Sequence, residues 1–272
     1  MLTSLANDRV KLVRALQSQR KAREKEGQFV VEGARLVEEA LRANAPVDFA
    51  LHTNDLDDRA RAVLGQLRRR GATLVEVSPE VIKACSDTEH PQSVLAVLPI
   101  TNNQLLKAGN WLLVICDRLS DPGNLGTLLR SAAAAGVDAA LLAPGTVDAF
   151  NPKVVRAGMG AHFRLPIESL TWDKIGEKVK GLQVRMAEAR SPISNLKSQI
   201  SYDQADWTQP SAFIISSEAD GPSEAARACA AESVFIPMPG ETESLNAAVA
   251  GSVILFEAVR QRNDIQPPTS NL

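Results

Sequence analysis

Five strongly apolar stretches in the second half of the chain restrict its fold more than any other feature. They are WLLVICD (111–117), AALLA (139–143), VRMAEA (184–189), AFIIS (212–216) and SVFIPM (233–238). Continuous apolar or β-branched runs of this kind suit strands that are buried on both faces of a parallel sheet. The Ala- and Leu-rich segment LGTLLRSAAAAG lies between the first two runs, and Gly136 is placed to end it as a helix. The sequence therefore predicts an α/β domain with a parallel sheet.

The first hundred residues predict a second, smaller α/β unit. Residues 8–26 have helical spacing, with Val10, Val13 and Leu16 about one turn apart, and Gly27 breaks the pattern. Strand-like runs then alternate with helical ones: GQFVVEG, ARLVEEALRAN, FALHT, DDRARAVLGQLRRR, TLVEVS and SVLAVLP. A polar stretch near residues 101–104 is typical of a linker. We therefore expect a domain over residues 1–103, a second over 104–265, and a disordered tail at 266–272.

The composition is that of an ordinary globular protein, with 44% hydrophobic and 23% charged residues among 272. The first residues lack the apolar core of a signal peptide, and the sequence has no run of eighteen or more apolar residues. The three cysteines are scattered and lack CxxC spacing, and the three histidines form no ligand pattern. We expect a cytoplasmic protein that binds neither a membrane nor a metal.

The net charge of −2 and the pI of about 6.0 do not favour nucleic-acid binding. The charge is unevenly distributed, however, because residues 9–25 contain seven basic residues and one acid. The basic residues are Arg9, Lys11, Arg14, Arg20, Lys21, Arg23 and Lys25. A solvated helix face is the default explanation of such a run, and RNA contact is the alternative.

Ligands of open parallel sheets bind beyond the carboxyl ends of the strands, which directs attention to three segments. In the first, DRLSDPGNLGTLLRSA (117–132), Asn124 lies where a side chain can cap a helix. Arg130 is six residues later, on a different helix face and about 9 Å further along the axis. The two side chains are thus not expected to serve one small site within a single subunit. From spacing alone, an ordinary helix cap and a surface charge explain the two residues better than a shared site does.

The other two segments also follow predicted strands. AFIISSEADGPSEAA (212–226) contains Glu218 and Gly221 in a turn of small residues, which allows close approach of backbone to a ligand or simply starts a helix. In VFIPMPGETESLNAAVAGSVILFEAVRQR (234–262) we expect a helix from about Ser244, with Ser244 as its N-cap. Helix stability alone does not explain Asn246 in the first turn. The expected apolar stripe of this helix is Leu245, Val249, Ser252, Phe256 and Val259.

These segments, in this order, resemble the three signature motifs of the SpoU/TrmH family of RNA ribose methyltransferases. The linking stretch NPKVVRAGMGAHFRLP (151–166) is also similar to the family, as is the start of the chain from SLANDRVK to FVVEGARLVEEAL. The resemblance implies a C-terminal α/β trefoil-knot (SPOUT) domain with a parallel sheet, preceded by a smaller α/β substrate-binding domain. It also implies a homodimer, S-adenosylmethionine as the methyl donor, RNA as the substrate and no metal.

The resemblance further implies roles for individual residues. The catalytic positions are Asn124, Arg130, Glu218, Ser244 and Asn246; the cofactor-binding positions are Ser216, Ile236, Met238 and Leu245. Arg130 is expected to reach the site of the opposite subunit, which agrees with its helical phase. The seven basic residues between Arg9 and Lys25 become the expected RNA contacts.

Two departures from the family pattern bear on activity. The second motif reads Ser216-Ser217-Glu218-Ala219 where the family usually has Gly-x-Glu-Gly, and Gly158-Met159-Gly160 replaces a Ser-containing version of the linking stretch. The lost glycines imply weaker or reshaped cofactor binding. Ribosomal RNA is the expected substrate, with transfer RNA as the alternative. A catalytically inactive RNA-binding or assembly factor is the alternative from another class, and a small-molecule enzyme is a more distant one.

Overall fold

The computed structural model describes residues 1–101, 109, 111–189, 198–217, 220–240 and 244–265. It divides into two compact units. The first consists of Met1–Thr101 and Asp148–Arg164, and the second of the described residues within 102–147 and 165–272. No helix in the described part of the chain is long and apolar enough to cross a membrane.

Strands and helices alternate through most of the chain. The strands are β1 (Gln28–Glu32), β2 (Phe49–His52), β3 (Thr73–Glu76), β4 (Val94–Pro99), β5 (Leu112–Asp117), β6 (Ala139–Leu142), β7 (Ile167–Ser169), β8 (Gln183–Ala187), β9 (Gln199–Ser201), β10 (Ser211–Ser216) and β11 (Glu232–Phe235). The helices are α1 (Asp8–Ser18), α2 (Arg20–Glu26), α3 (Ala34–Arg42), α4 (Asp58–Arg69), α5 (Pro79–Cys85), α6 (Pro122–Ala134), α7 (Pro152–Gly158), α8 (Trp172–Lys178), α9 (Glu224–Cys229) and α10 (Ala247–Ile265). A 3₁₀ turn follows α7 at Ala161–Phe163.

The first unit is built on a mixed four-stranded sheet in the order β1-β4-β2-β3, which confirms the smaller α/β domain. Strand β4 pairs antiparallel with both β1 and β2, whereas β2 and β3 are parallel. Apolar side chains pack on both faces of this sheet, with α3 and α4 on one face and α1 and α5 on the other. The four predicted strands are all present.

The basic N-terminal segment forms two helices, so the single helix expected over residues 8–26 is wrong. Gln19 has extended backbone angles (φ −125°, ψ 117°) and separates α1 from α2. The predicted apolar spacing is correct, since Val10, Val13 and Leu16 are buried. The break lets Arg23 of α2 turn back and donate hydrogen bonds to the carbonyls of Leu16 and Gln17. Arg23 thereby satisfies carbonyl groups that the end of α1 leaves free.

The described strands of the second unit form a seven-stranded parallel sheet in the order β7-β6-β5-β10-β8-β11-β9. The five apolar runs of the sequence supply β5, β6, β8, β10 and β11. Every residue of β5 is buried, as expected for a central strand with covered faces. Because the strands are parallel, their carboxyl ends lie along one edge, and the three signature segments follow β5, β10 and β11 at that edge.

Helix α10 begins at Ala247, so the start expected near Ser244 is wrong. It packs against α6 and β10. Its buried residues are Ala247, Ala248, Gly251, Ile254, Leu255 and Ala258, and the small ones among them allow a close approach. The apolar stripe predicted from the sequence is instead its open face, where Val249 is 46% and Phe256 51% exposed.

Candidate active site

Helix α6 starts immediately beyond β5 and carries the first signature segment. Its N-cap is Asp121, whose carboxylate accepts a hydrogen bond of 2.7 Å from the backbone N–H of Asn124. Pro122 follows at the first helical position, where its missing N–H costs nothing. The interpretation of Asn124 as the cap is therefore wrong, and its side chain is free to bind another residue.

That residue belongs to the third segment. The Asn246 amide nitrogen Nδ2 donates a hydrogen bond of 2.8 Å to Oδ1 of Asn124, across 122 positions of sequence. Two expected site residues from separate motifs are thus brought together.

Asn246 is also the residue that caps α10. Its Oδ1 accepts from the backbone N–H groups of Ala248 at 3.0 Å and Val249 at 3.3 Å. Ser244, the cap expected from the sequence, is exposed and precedes the helix by three positions. Asparagine performs both tasks because its amide carries an acceptor and a donor on one planar group.

These contacts fix the orientation of both amides. Since Oδ1 of Asn246 faces two N–H donors, its Nδ2 must face Asn124, and Asn124 must present Oδ1 in return. The Nδ2 group of Asn124 donates to no described residue, and Asn124 is partly exposed. The pair therefore offers an N–H donor of fixed position to a ligand.

Arg130 lies on the exposed side of α6. No hydrogen bond or ion pair joins it to another residue in the ranges that the structure describes, including Asn124, Ser244 and Asn246. An exposed, unpaired guanidinium is available for an anionic partner, as the helical-phase argument requires.

The four expected cofactor positions are all partly accessible. Ser216 ends β10, Ile236 and Met238 follow β11, and Leu245 precedes α10. The backbone N–H groups of Ile236, Met238 and Gly240 make no backbone hydrogen bond to a described residue. Free N–H donors beside half-buried apolar side chains suit a ligand with a heteroaromatic base and an aliphatic chain. These residues thus fit S-adenosylmethionine.

Glu218 and Ala219 lie outside the described residues. Ser216, the other altered position of this motif, is in β10 and its φ is not positive. A Cβ atom costs nothing there, so this departure from the family's glycine does not strain the backbone. Its hydroxyl instead donates a hydrogen bond of 3.1 Å to Oδ2 of Asp117.

Sequence reasoning missed two residues at the end of β5. Asp117 is completely buried and its carboxylate also accepts the backbone N–H of Ser223 at 2.8 Å. Arg118 has a positive φ of 55° and donates to the carbonyl of Gly221 at 2.8 Å. The sequence pattern that points to them is a charged residue at the end of an otherwise apolar strand.

The basic residues of the first unit are mostly on the surface. Arg9, Lys11, Arg14, Arg20, Lys21 and Lys25 are exposed. Arg23 is 4% exposed and its guanidinium pairs with Asp148 at 2.7 Å. Because the Arg23 guanidinium is buried and ion-paired within its own unit, it is not available to RNA in this conformation, contrary to its expected role.

The cysteines are unsuited to nucleophilic chemistry. Burial raises the pKa of Cys116 to about 12 and that of Cys85 to about 11. Both thiols therefore stay protonated at neutral pH, where only a thiolate would be reactive.

Two family models match this chain. Residues 111–256 match the SpoU rRNA Methylase family, and residues 7–96 match the MRM3-like substrate binding domain. The human mitochondrial rRNA methyltransferase 3 is 34% identical over 93% of this chain and 72% of its own length. The 23S rRNA (guanosine(2553)-2′-O)-methyltransferase RlmP of Bacillus subtilis is 31% identical over 94% of this chain and 97% of its own.

Solved structures agree over nearly the full length. The SpoU methyltransferase AviRb of Streptomyces viridochromogenes, in complex with AdoMet, superposes with a TM-score of 0.81 at 29% identity, covering 95% of this chain and 100% of that one. An AdoMet-bound rRNA methyltransferase of Sinorhizobium meliloti gives a TM-score of 0.79 at 31% identity, with coverage of 95% and 97%. The signature segments meet at one edge of a parallel sheet, and both domains match; the chain belongs to the SpoU rRNA methylase family.

Proposed function

We propose that this protein transfers a methyl group from S-adenosylmethionine to a ribose 2′-hydroxyl of ribosomal RNA. The observation that carries the proposal is the hydrogen bond between Asn124 and Asn246, which joins the first and third motifs. The third motif also has accessible apolar residues and free backbone donors after β11. Relatives over both domains are named as rRNA methyltransferases, one of them as a 2′-O-methyltransferase. Transfer RNA is a less supported substrate.

The cofactor supplies an activated methyl group, and the protein's residues position the acceptor. Asn124 Nδ2 is free to donate to an oxygen of the target nucleotide, and the Arg130 guanidinium is suited to a bidentate contact with its phosphate. Holding a hydroxyl in line with the methyl group accounts for on the order of 7–11 kcal/mol of barrier reduction. Arg130 is not the general base in this scheme, because a guanidinium stays protonated in proteins. Glu218 and Ser244 complete the proposed catalytic set.

The exposed basic face of α1 and α2 is the proposed RNA surface. Some of its charge is offset locally, since Lys11 pairs with Asp8, Arg20 with Glu24 and Lys25 with Glu26. These pairs are exposed and weak, so an RNA phosphate can replace the carboxylate. RNA affinity should fall steeply with salt concentration.

A homodimer is proposed from the open face of α10 and from Arg130 on its neighbour α6. Val249 and Phe256 expose apolar surface that a second copy would bury symmetrically, and Arg130 then reaches the partner's site. Sedimentation of the wild type should give a dimer, and Phe256→Glu should give a monomer. A monomeric wild type that methylates RNA would rule this arrangement out.

We also propose a cytoplasmic location, a trefoil knot and domain boundaries at 1–103 and 104–265.

Calorimetric titration with S-adenosylmethionine, and with S-adenosylhomocysteine in parallel, tests whether the protein binds the cofactor. Micromolar binding at one site per subunit supports the enzyme. Absence of binding for both ligands would favour an RNA-binding or assembly factor instead.

A further inference from the structure

We infer that Asp117 and Arg118 are positioning residues for the cofactor site, because together they bind both ends of the turn that contains the second motif. The inference rests on the proposed cofactor site and identifies what fixes its shape. The segment called the turn here lies between β10 and α9, and its described residues are Ser216, Ser217 and 220–223.

Asp117 binds the two ends of this turn with one carboxylate. Oδ2 accepts from the Ser216 hydroxyl at 3.1 Å and from the Ser223 backbone N–H at 2.8 Å. The Asp117 carbonyl accepts the backbone N–H of Ser217 at 3.1 Å. Because the carboxylate is fully buried, these bonds are shielded from competing water.

Arg118 binds the second half of the turn. Its Nη2 group donates to the carbonyl of Gly221 at 2.8 Å and lies 3.4 Å from that of Asp220. A cationic donor to carbonyl oxygens makes a stronger bond than a neutral one. Asp117 and Arg118 therefore hold the described backbone at Ser217 and at Asp220–Gly221.

The backbone of Arg118 is strained to make this contact possible. Its φ of 55° is a left-handed conformation that glycine adopts freely and that costs other residues energy. Gly145 makes room for the arginine stem, since a Cβ atom there would lie 3.0 Å from Cγ of Arg118. A long side chain at a position suited to glycine indicates that the guanidinium contact is required.

The test compares Arg118→Gly, Arg118→Lys and wild type by calorimetric titration with S-adenosylmethionine, with thermal unfolding alongside. Arg118→Gly relieves the backbone and removes the donors, so we expect the Kd to rise by on the order of tenfold without loss of thermal stability. Arg118→Lys keeps one cationic donor and should recover part of the affinity. Asn44→Gly is the matched control, because exposed Asn44 has a similar φ of 53° in the other unit.

Asp117 is tested by Asp117→Asn, which keeps an acceptor for Ser223, and by Asp117→Leu, which removes it. The first should bind the cofactor nearly as wild type, and the second at least as weakly as Arg118→Gly. In steady-state methylation, KM for S-adenosylmethionine should rise in the weakened variants while KM for RNA stays constant. A loss of stability alone would not raise KM for S-adenosylmethionine while leaving KM for RNA unchanged.

The outcomes separate the inference from the proposed function. A wild type that binds the cofactor, together with Arg118→Gly and Asp117→Leu variants that bind it equally well, overturns the inference and leaves the function standing. A wild type that binds no cofactor overturns both.

Discussion

At the scale of single residues, the Asn124–Asn246 pair shows how one side chain serves stability and chemistry together. Asn246 caps α10 with its oxygen and orients Asn124 with its nitrogen. An aspartate has the same shape and caps a helix equally well, but it lacks the donor. The two roles are therefore separable by a single substitution.

Asn246→Asp should leave the free energy of unfolding within about 0.5 kcal/mol of wild type, because the cap is kept. The new carboxylate will attract Nδ2 of Asn124, turning Oδ1 toward the ligand instead. We expect kcat to fall by about tenfold or more. Asn151→Asp, at the cap of α7, is the control and should not change kcat. Full activity in Asn246→Asp would show that the orientation of Asn124 is unimportant.

Arg130→Lys tests the bidentate role assigned to the exposed guanidinium. Lysine keeps the charge but lacks the planar fork, so methyl transfer should slow by on the order of 100-fold. The thermal unfolding midpoint should not move, because the side chain is exposed and has no partner among the described residues. Arg260→Lys, also exposed on the second unit, is the control. Near-full turnover of Arg130→Lys would argue against bidentate contact.

The sequence identified the polar site residues through their position after apolar strands, but it did not define their contacts. Asn124 and Asn246 are 122 positions apart, so no local pattern predicts their hydrogen bond. The caps were misassigned for a similar reason, since Asp121 and Asn246 are as good as the residues chosen. Only the backbone geometry decides between neighbouring capping residues.

At the scale of elements, the contact between α10 and the sheet depends on the absence of a side chain at Gly251. A Cβ atom there would lie 2.6 Å from Cδ1 of Leu128 and 3.3 Å from Cγ1 of Ile215. Both neighbours are buried, so they can move aside only by disturbing the packing around them. The close approach holds α10, and with it Asn246, beside α6.

Gly251→Ala should therefore lower the free energy of unfolding by about 1–3 kcal/mol, as expected for overpacking. Urea denaturation measures this directly. Gly176→Ala in α8 is the control, because its Cβ atom would meet nothing within 4 Å. We expect that control to be stabilised by about 0.5–1 kcal/mol. Equal changes in the free energy of unfolding for the two variants would show that the packing at Gly251 is not tight.

Apolar runs predicted strands well where burial on both faces makes them continuous, as in β5 and β10. The sequence analysis missed β7 and β9, which have three residues each and lie at the edges of the sheet. Helices α5, α7 and α8 were not predicted either, because seven residues give too little periodicity. The break at Gln19 was not predicted, since the apolar spacing on either side of it is uninterrupted.

At the scale of the whole molecule, a buried histidine links stability to pH. His162 donates from Nε2 to the carbonyl of Ala149 at 2.7 Å and lies beside the rings of Phe29 and Phe150. Burial lowers the pKa of His162 to about 4, against an ordinary value of 6.5. At pH values between about 4 and 6.5 the unfolded chain therefore binds a proton at this ring, and the folded chain does not.

Stability should consequently fall as the pH drops below about 6.5, and the loss from this group should reach about 2 kcal/mol at pH 5. Above pH 7 the ring is neutral in both states and the effect is absent. His162→Gln removes the titrating group and keeps an N–H donor. Urea denaturation at pH 7.5 and pH 5 should show a smaller pH dependence for this variant. An unchanged pH dependence would mean that folding leaves the pKa of His162 near its ordinary value.

The position on RNA that receives the methyl group can be measured directly. The direct measurement is mass spectrometry of nucleosides from ribosomal RNA that has been incubated with the protein and methyl-labelled S-adenosylmethionine. We expect label in a 2′-O-methylated nucleoside, strongly reduced when Arg130→Lys replaces the wild type. Label on a base, or no label in any ribosomal RNA despite cofactor binding, would contradict the proposed function.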